Sequence, residues 1–252
     1  MTRALALAAL LSLAGRARAE ECLDLALYGS VLQANTRAVA DLAGTRVDYA
    51  ALKISPQWAD VRKSLATCDP AKLTTREEKL AFWINAYNVL AMDVVASHWP
   101  VSSIKDAGSL LFPVWTETAG QIHGKRYTLD QIENQELRPL GDPRIHAAIV
   151  CASASCPTLS REPFTAARID AELDAAFARF VANRDKGFAI ERDPAKIRLS
   201  SVFKWFAEDF EKQGGVLAMI SRYLDADDRA WLEAHGSTAK REYMPYDWRV
   251  NG

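Results

Sequence analysis

The sequence predicts a helix-rich α+β domain built around a small, largely antiparallel sheet. Three observations carry that reading: several segments of helical spacing that bring their own caps, short β-rich runs bounded by turn residues, and no repeat or linker long enough to divide the chain. Residues 1–19 read as a signal peptide, since Arg3 precedes an apolar run over 4–14 and Ala17-Arg18-Ala19 fits a small-residue cleavage site. Residues 20–252 are then expected to be one globular domain of 252 − 19 = 233 residues, periplasmic or secreted. Losing Arg3, Arg16 and Arg18 moves the formal charge from −1 to −1 − 3 = −4. That balance gives no electrostatic basis for nucleic acid as a partner. No later stretch reads as long and charge-free enough for a transmembrane anchor.

Helical spacing covers 24–40, with Gly44 ending the region. Residues 47–52 read as extended or turn-like, and a helix over 57–67 stops at Asp69-Pro70. The strongest helix spans 75–97. Thr74 or Thr75 caps it, with Glu77 or Glu78 completing a capping box. Phe82, Trp83, Ile84, Val89, Leu90 and Val95 leave it apolar nearly all round, which predicts burial. Glu78, Asn85 and Asn88 fall on one line along it at about 100° per residue. A buried asparagine without partners costs about 1–3 kcal/mol, so Asn85 and Asn88 either fix the backbone of a neighbouring loop or orient a catalytic group.

Residues 110–118 and 121–127 read as a hairpin turning at Ala119-Gly120 and carrying Trp115 and an exposed His123. Thr128, boxed by Gln131, caps a helix through Arg138 that carries Glu133. Gly141-Asp142-Pro143 opens an apolar run, 145–150, with the length and composition of a buried strand; it holds His146 and leads to Cys151. A small loop, 152–155, is closed by Cys156-Pro157. Thr165 caps an amphipathic helix reaching about Asn183, and 188–190 and 197–199 are short strands across Asp193-Pro194. Ser200-Ser201 caps a helix bearing Phe203, Trp205, Phe206 and Phe210, ended by Gly214-Gly215. Helical segments over 216–224 and 227–234 precede an aromatic strip, 243–248. There a buried Asp247 is expected to pair with Lys204 or Arg144. Trp83, Tyr87, Trp115, Trp205, Tyr246 and Trp248 read first as core.

Six stretches occur in order across residues 47–251: Phe82-Trp83-Ile84-Asn85-Ala86-Tyr87-Asn88, Leu129-Asp130-Gln131-Ile132-Glu133, Asp142-Pro143-Arg144-Ile145-His146, the run from Val150 through Cys151 and Cys156 to Pro157, Phe203-Lys204-Trp205 with Asp209-Phe210, and Pro245-Tyr246-Asp247-Trp248. Together they resemble the uncharacterised domain-of-unknown-function family 547. The resemblance implies a single domain filling nearly all the mature chain, and no particular reaction. Members commonly carry an aromatic after the histidine. Ala147 stands there instead, which is expected to widen the space beside His146.

The chemistry concentrates around His146, Cys151 and Cys156. One reading is a cysteine-dependent hydrolase or acyltransferase acting on an amide, ester or thioester, with His146 activating a thiol. On one regular strand His146 and Cys151 would sit about 16 Å apart at roughly 3.3 Å per residue, on opposite faces. Cys156, beyond the strand, is therefore the better nucleophile. Glu133, Asn85 or Asn88 would orient the imidazole, and loop amides at Ala154, Ser155 and Cys156 would serve an oxyanion. Ser155, Cys151 and Trp115 are the expected substrate contacts. The alternative is a non-catalytic domain binding a small molecule or peptide. An even cysteine count suggests disulfides, the tidy pairing being Cys22 with Cys68, which leaves Cys151 and Cys156 bonded to each other or free. A metal site on His146, Glu133 and both cysteines lacks the close-paired ligand spacing of zinc, and no cofactor is expected. The missing Cys-x-x-Cys spacing argues against thiol redox chemistry.

Overall fold

The computed structural model describes residues 22–109 and 113–252; the expected signal peptide and residues 110–112 of the expected hairpin lie outside them. Helix α1 (Leu25–Asn35), capped by Asp24, ends short of residue 40 because the chain turns into β1 (Thr36–Ala38), which pairs antiparallel with β2 (Thr45–Val47). Gly44 makes the connection at φ +73°, where a Cβ would run into the Thr158 side chain. The stretch expected to be extended forms α2 (Tyr49–Ile54), because the Asp48 carboxylate caps the Ala51 N–H, and α3 (Pro56–Thr67) starts on Ser55. A disulfide joins Cys22 to Cys68, tying the start of the described chain to the end of α3.

Helix α4 (Arg76–His98) opens on the expected Thr75–Glu78 capping box, and its side chains are buried without a break from Leu80 to Met92. It is long and apolar enough to cross a membrane, with a mean hydropathy of 1.3, yet 83% of that window is buried inside the fold. The sequence reading that no later stretch has such a composition is thereby corrected; α4 has it and serves as the core helix.

Strands β3 (Thr118–Ile122) and β4 (Lys125–Thr128) form a hairpin that turns at His123-Gly124, not at Ala119-Gly120. His123 at φ +48° and Gly124 at φ +75° supply the left-handed pair a two-residue turn requires. Gly120 has a different duty: a Cβ there would collide with Leu90 of α4. Helix α5 (Leu129–Gln131) follows with its Thr128–Gln131 box, widens into a π-helical stretch, Ile132–Leu137, and tightens to a 3₁₀ turn, Arg138–Leu140, stopped by Gly141 at φ +74°.

The run 145–150 does not form the expected strand. Asp142 caps a 3₁₀ turn, Pro143–Ala147, and the chain continues irregularly to Cys151. A buried segment must pair its peptide groups, and a side chain does this here: Asn88 Nδ2 donates to Ala148 O at 3.0 Å, and Val150 N–H donates to Asn88 Oδ1 at 2.8 Å. Asn85 holds Phe164 in the same two-pronged way, at 2.8 and 3.0 Å. Both asparagines are thus backbone clamps.

Helix α6 (Ile169–Ala182) begins after a 3₁₀ turn rather than on a Thr165 side-chain cap. Strands β5 (Phe188–Glu191), β6 (Lys196–Leu199) and β7 (Lys240–Tyr243) lie in that order, β5 antiparallel and β7 parallel to β6. The helix expected after Ser200 breaks at Phe206 into α7 (Ser201–Trp205) and α8 (Ala207–Glu211); α9 (Val216–Ser221) and α10 (Ala226–His235) follow. The fold is α+β as expected, but its strands are shared among three small sheets among the described residues. Two hydrophobic clusters result, one around α4 and one around Phe177, Phe203 and Phe210, with Tyr246 packed against both. Ala147 is buried in the second cluster, so it fills core instead of widening the space at His146.

Lys186 makes a testable signature of this packing. Only 2% exposed, it donates to Ala43 O at 3.0 Å and Ala154 O at 3.3 Å. Burial pushes its ammonium down from 10.5 to about 8, with Asp41 offsetting part of that. The folded chain then binds fewer protons than the unfolded chain between those two values, so the group's contribution to stability rises with pH across that window. The limit is about 3 kcal/mol. Urea midpoints of the wild type should climb relative to Lys186→Met between about pH 7.5 and 9.5; parallel curves would show the amine unperturbed.

Candidate functional site

One helical stretch supplies four polar side chains: Asp130, Glu133, Asn134 and Arg138. Asn134 donates to Asp130 at 2.8 Å, Arg138 Nη1 donates to Asn134 at 2.8 Å, and the same guanidinium forks onto both oxygens of Asp209 at 2.7 and 2.8 Å. Asp209 Oδ2 also meets His146 Nε2 at 2.7 Å. Burial opposes the charge on Asp209, but the hydrogen bonds from His146 and Arg138 outweigh it and hold the carboxyl far below the ordinary carboxylate range. An ionised carboxylate only accepts, so Nε2 carries a hydrogen.

The other ring nitrogen is the informative one. His146 Nδ1 lies 3.4 Å from Glu133 Oε1 without the direction of a hydrogen bond. It is the buried side-chain nitrogen or oxygen left without a partner among the described residues. A buried ring nitrogen facing a largely buried carboxylate with no hydrogen bond between them is a seat for a donor from outside. Phe206 fixes the plane of the imidazole, stacking on it at 3.9 Å and 16°.

Asp130, Glu133, Asn134, His146 and Phe206 line a cavity of about 400 Å³ between the two hydrophobic clusters, with Arg138 and Asp209 behind them and outside its lining. Its wall is aromatic: Tyr246 and Trp248 at 4.5 Å, Trp205 and Tyr246 at 4.9 Å, and Trp115 and Trp248 at 5.5 Å between ring centroids. Trp205 is 47% exposed, so the sequence reading of these rings as core is corrected for this wall, while Trp83 and Tyr87 are buried as expected. Lys105 Nζ caps the Trp248 ring at 3.6 Å on the cavity wall.

The cysteine loop lines the same cavity, and here the expected dyad is not formed. Cys151 and Cys156 are bonded to each other, and the described polar contacts of the imidazole run to Asp209 and Glu133. With both sulfurs bridged, the thiolates that a metal site on His146, Glu133, Cys151 and Cys156 would use are also spoken for. The loop amides expected to serve an oxyanion are occupied: Ala154 N–H donates to Arg249 O at 2.8 Å, Ser155 N–H to Asp247 O at 3.2 Å and Cys156 N–H to Ser153 O at 3.1 Å. Ser155, expected to touch substrate, accepts Asp247 N–H at 2.9 Å instead. For Ala154 and Ser155 the cause is the carboxy-terminal segment, which lies alongside the loop through a bridge between Ser153 and Val250. Asp247 pairs with Arg249, not with Lys204 or Arg144; Arg144 is held by Asp142, Asp170 and Asp174. Of the expected site residues, Glu133, His146, Cys151, Cys156 and Trp115 converge on one cavity, whereas Asn85, Asn88 and Ser155 lie outside its lining.

Sequence reasoning missed Asp209, Arg138, Phe206 and Tyr246. Asp209 and Tyr246 lay within motifs already singled out, but a separation of 63 residues between His146 and Asp209 follows no local spacing rule. No curated protein and no solved structure matches the chain. Residues 70–181, which include α4, Glu133, His146 and both cysteines of the loop but not Asp209 or the aromatic strip, match the family described as Protein of unknown function, DUF547. Over that stretch the chain is similar to the DUF547 family.

Proposed function

We propose that this domain, in an exported protein, binds a small molecule or peptide side chain with an aromatic or apolar body and a hydrogen-bond-donating head, an amine or amide. The observation that carries the reading is the partnerless His146 Nδ1 beside Glu133 at the floor of an aromatic-walled cavity. Such a cavity buries an apolar body, and convergent acceptors fix its polar end. Asp130 and Glu133 outnumber Lys105, whose ammonium sits over the Trp248 ring, so the lining favours donors and cations over carboxylates. Asp209 and Arg138 hold the imidazole in place and are positioning residues.

The experiment is a titration followed by tryptophan fluorescence, with Trp115, Trp205 and Trp248 as reporters. Phenethylamine is expected to bind at least about tenfold tighter than phenylacetate, a difference of about 1.4 kcal/mol. Glu133→Gln should erase that preference, and Trp205→Ala should weaken both probes about tenfold. Equal affinities, or an amine preference that survives Glu133→Gln, would rule the reading out.

A further inference from the structure

We propose that the Cys151–Cys156 bridge is a thiol–disulfide exchange site, with Cys151 as the sulfur attacked and Cys156 as the leaving thiolate. Three donors reach Cys156 Sγ: the Cys151 N–H at 3.0 Å, the Tyr246 hydroxyl at 3.2 Å and the Ser153 hydroxyl at 3.3 Å. The two hydroxyls also lie 3.4 and 3.1 Å from Cys151 Sγ, so the backbone N–H is the donor that singles out Cys156. A bridged sulfur is a weak acceptor, whereas a thiolate carries a full charge, so this donor set suits the anion released on exchange. Burial keeps the Tyr246 phenol well above its ordinary range, and it stays a donor. The two sulfurs differ in access as the roles demand: Cys151 is half-buried on the cavity wall and Cys156 is 3% exposed.

The loop is also poorly placed as a staple. It closes over a separation of 5 residues, against 46 for Cys22–Cys68, and short loops restrain the unfolded chain least. Cys-x-x-Cys spacing is absent, and the donors at Cys156 do the work that spacing does elsewhere.

The exchange balances without a further reagent. The thiolate of an incoming thiol attacks Cys151 Sγ; the new S–S bond forms, the Cys151–Cys156 bond breaks, and its electron pair leaves on Cys156. A second thiolate attacks the incoming sulfur, forming the product disulfide and releasing Cys151 as a thiolate that takes up a proton. Two thiols lose two electrons and two protons, and the cysteine pair gains the two electrons. Run backwards, the reduced pair reduces a disulfide. The exchange shares the cavity with the ligand-binding reading but does not rest on it.

The test equilibrates the full chain in glutathione buffers of graded reducing strength, followed by acid quenching, alkylation and peptide mass mapping. Cys151–Cys156 is expected to open while Cys22–Cys68 stays closed and the circular dichroism spectrum is unchanged. Thiolate absorbance of the selectively reduced chain should then titrate at least about one unit below the free-cysteine value near 8.5. Tyr246→Phe should raise that midpoint by about one unit, and Ser153→Ala gives the same readout should Tyr246→Phe not fold. Both bridges opening together only on unfolding would overturn the proposal. So would a wild-type midpoint at or above the free-cysteine value, or a midpoint unmoved in the folded variant.

Discussion

Asn88→Ala should cost about 3 kcal/mol of folding stability, a large share of the roughly 5–15 kcal/mol that holds a domain together. The change removes more than two hydrogen bonds. Ala148 O and Val150 N–H are buried beside a helix that offers no other partner, since α4 uses its own peptide groups internally. Each orphaned group costs about 1–3 kcal/mol, and local movement recovers part of the sum. Asn88→Asp separates the contributions: the carboxylate still accepts from Val150 N–H but sets a charge against Ala148 O, so it should destabilise as much as alanine. The measurement is a urea midpoint with its slope. A shift without a change of slope is expected; a loss under about 1 kcal/mol would mean that the segment finds other partners.

The second large effect lies at the other end of the chain. Replacing Cys22 and Cys68 together by alanine should remove about 4 kcal/mol, from the chain-entropy value for a loop spanning a separation of 46 residues. Opening Cys151–Cys156 alone should cost about half as much on the same scale, because its separation is 5 residues. Calorimetric melting of the two double-alanine variants gives the comparison. An equal or larger loss from the short loop would show that it serves chiefly as a staple, contrary to its assignment as an exchange site.

Much of this fold was legible because helices announce themselves locally. The Thr75–Glu78 and Thr128–Gln131 boxes, the Ser200 cap and the all-round apolar pattern of α4 each predicted an element the structure contains. What failed depends on partners distant in sequence. Residues 145–150 have a strand's composition, yet the peptide groups of Ala148 and Val150 are paired by a side chain 60 and 62 residues away, and no sheet forms. Gly120 looked like a turn residue and proved to be a close approach to Leu90. The site divides along the same line. Glu133, His146, Cys151 and Cys156 were readable as a cluster of unusual chemistry, and they do share a cavity. The dyad between them was not formed, because Cys151 and Cys156 bridge each other and Asp209, far along the chain, claims the imidazole.

Ligand recognition in the aromatic cavity rests on the open nitrogen at its base. The protein has 4 histidines, so a ¹⁵N-histidine-labelled sample gives a spectrum simple enough to follow His146 nitrogen by nitrogen, with His146→Gln for assignment. On adding phenethylamine, the Nδ1 resonance of His146 should move in a saturable way while Nε2, tied to Asp209, stays near its starting position. A ligand that shifts the wall tryptophans and leaves Nδ1 untouched, or no saturable shift at either nitrogen, would contradict it.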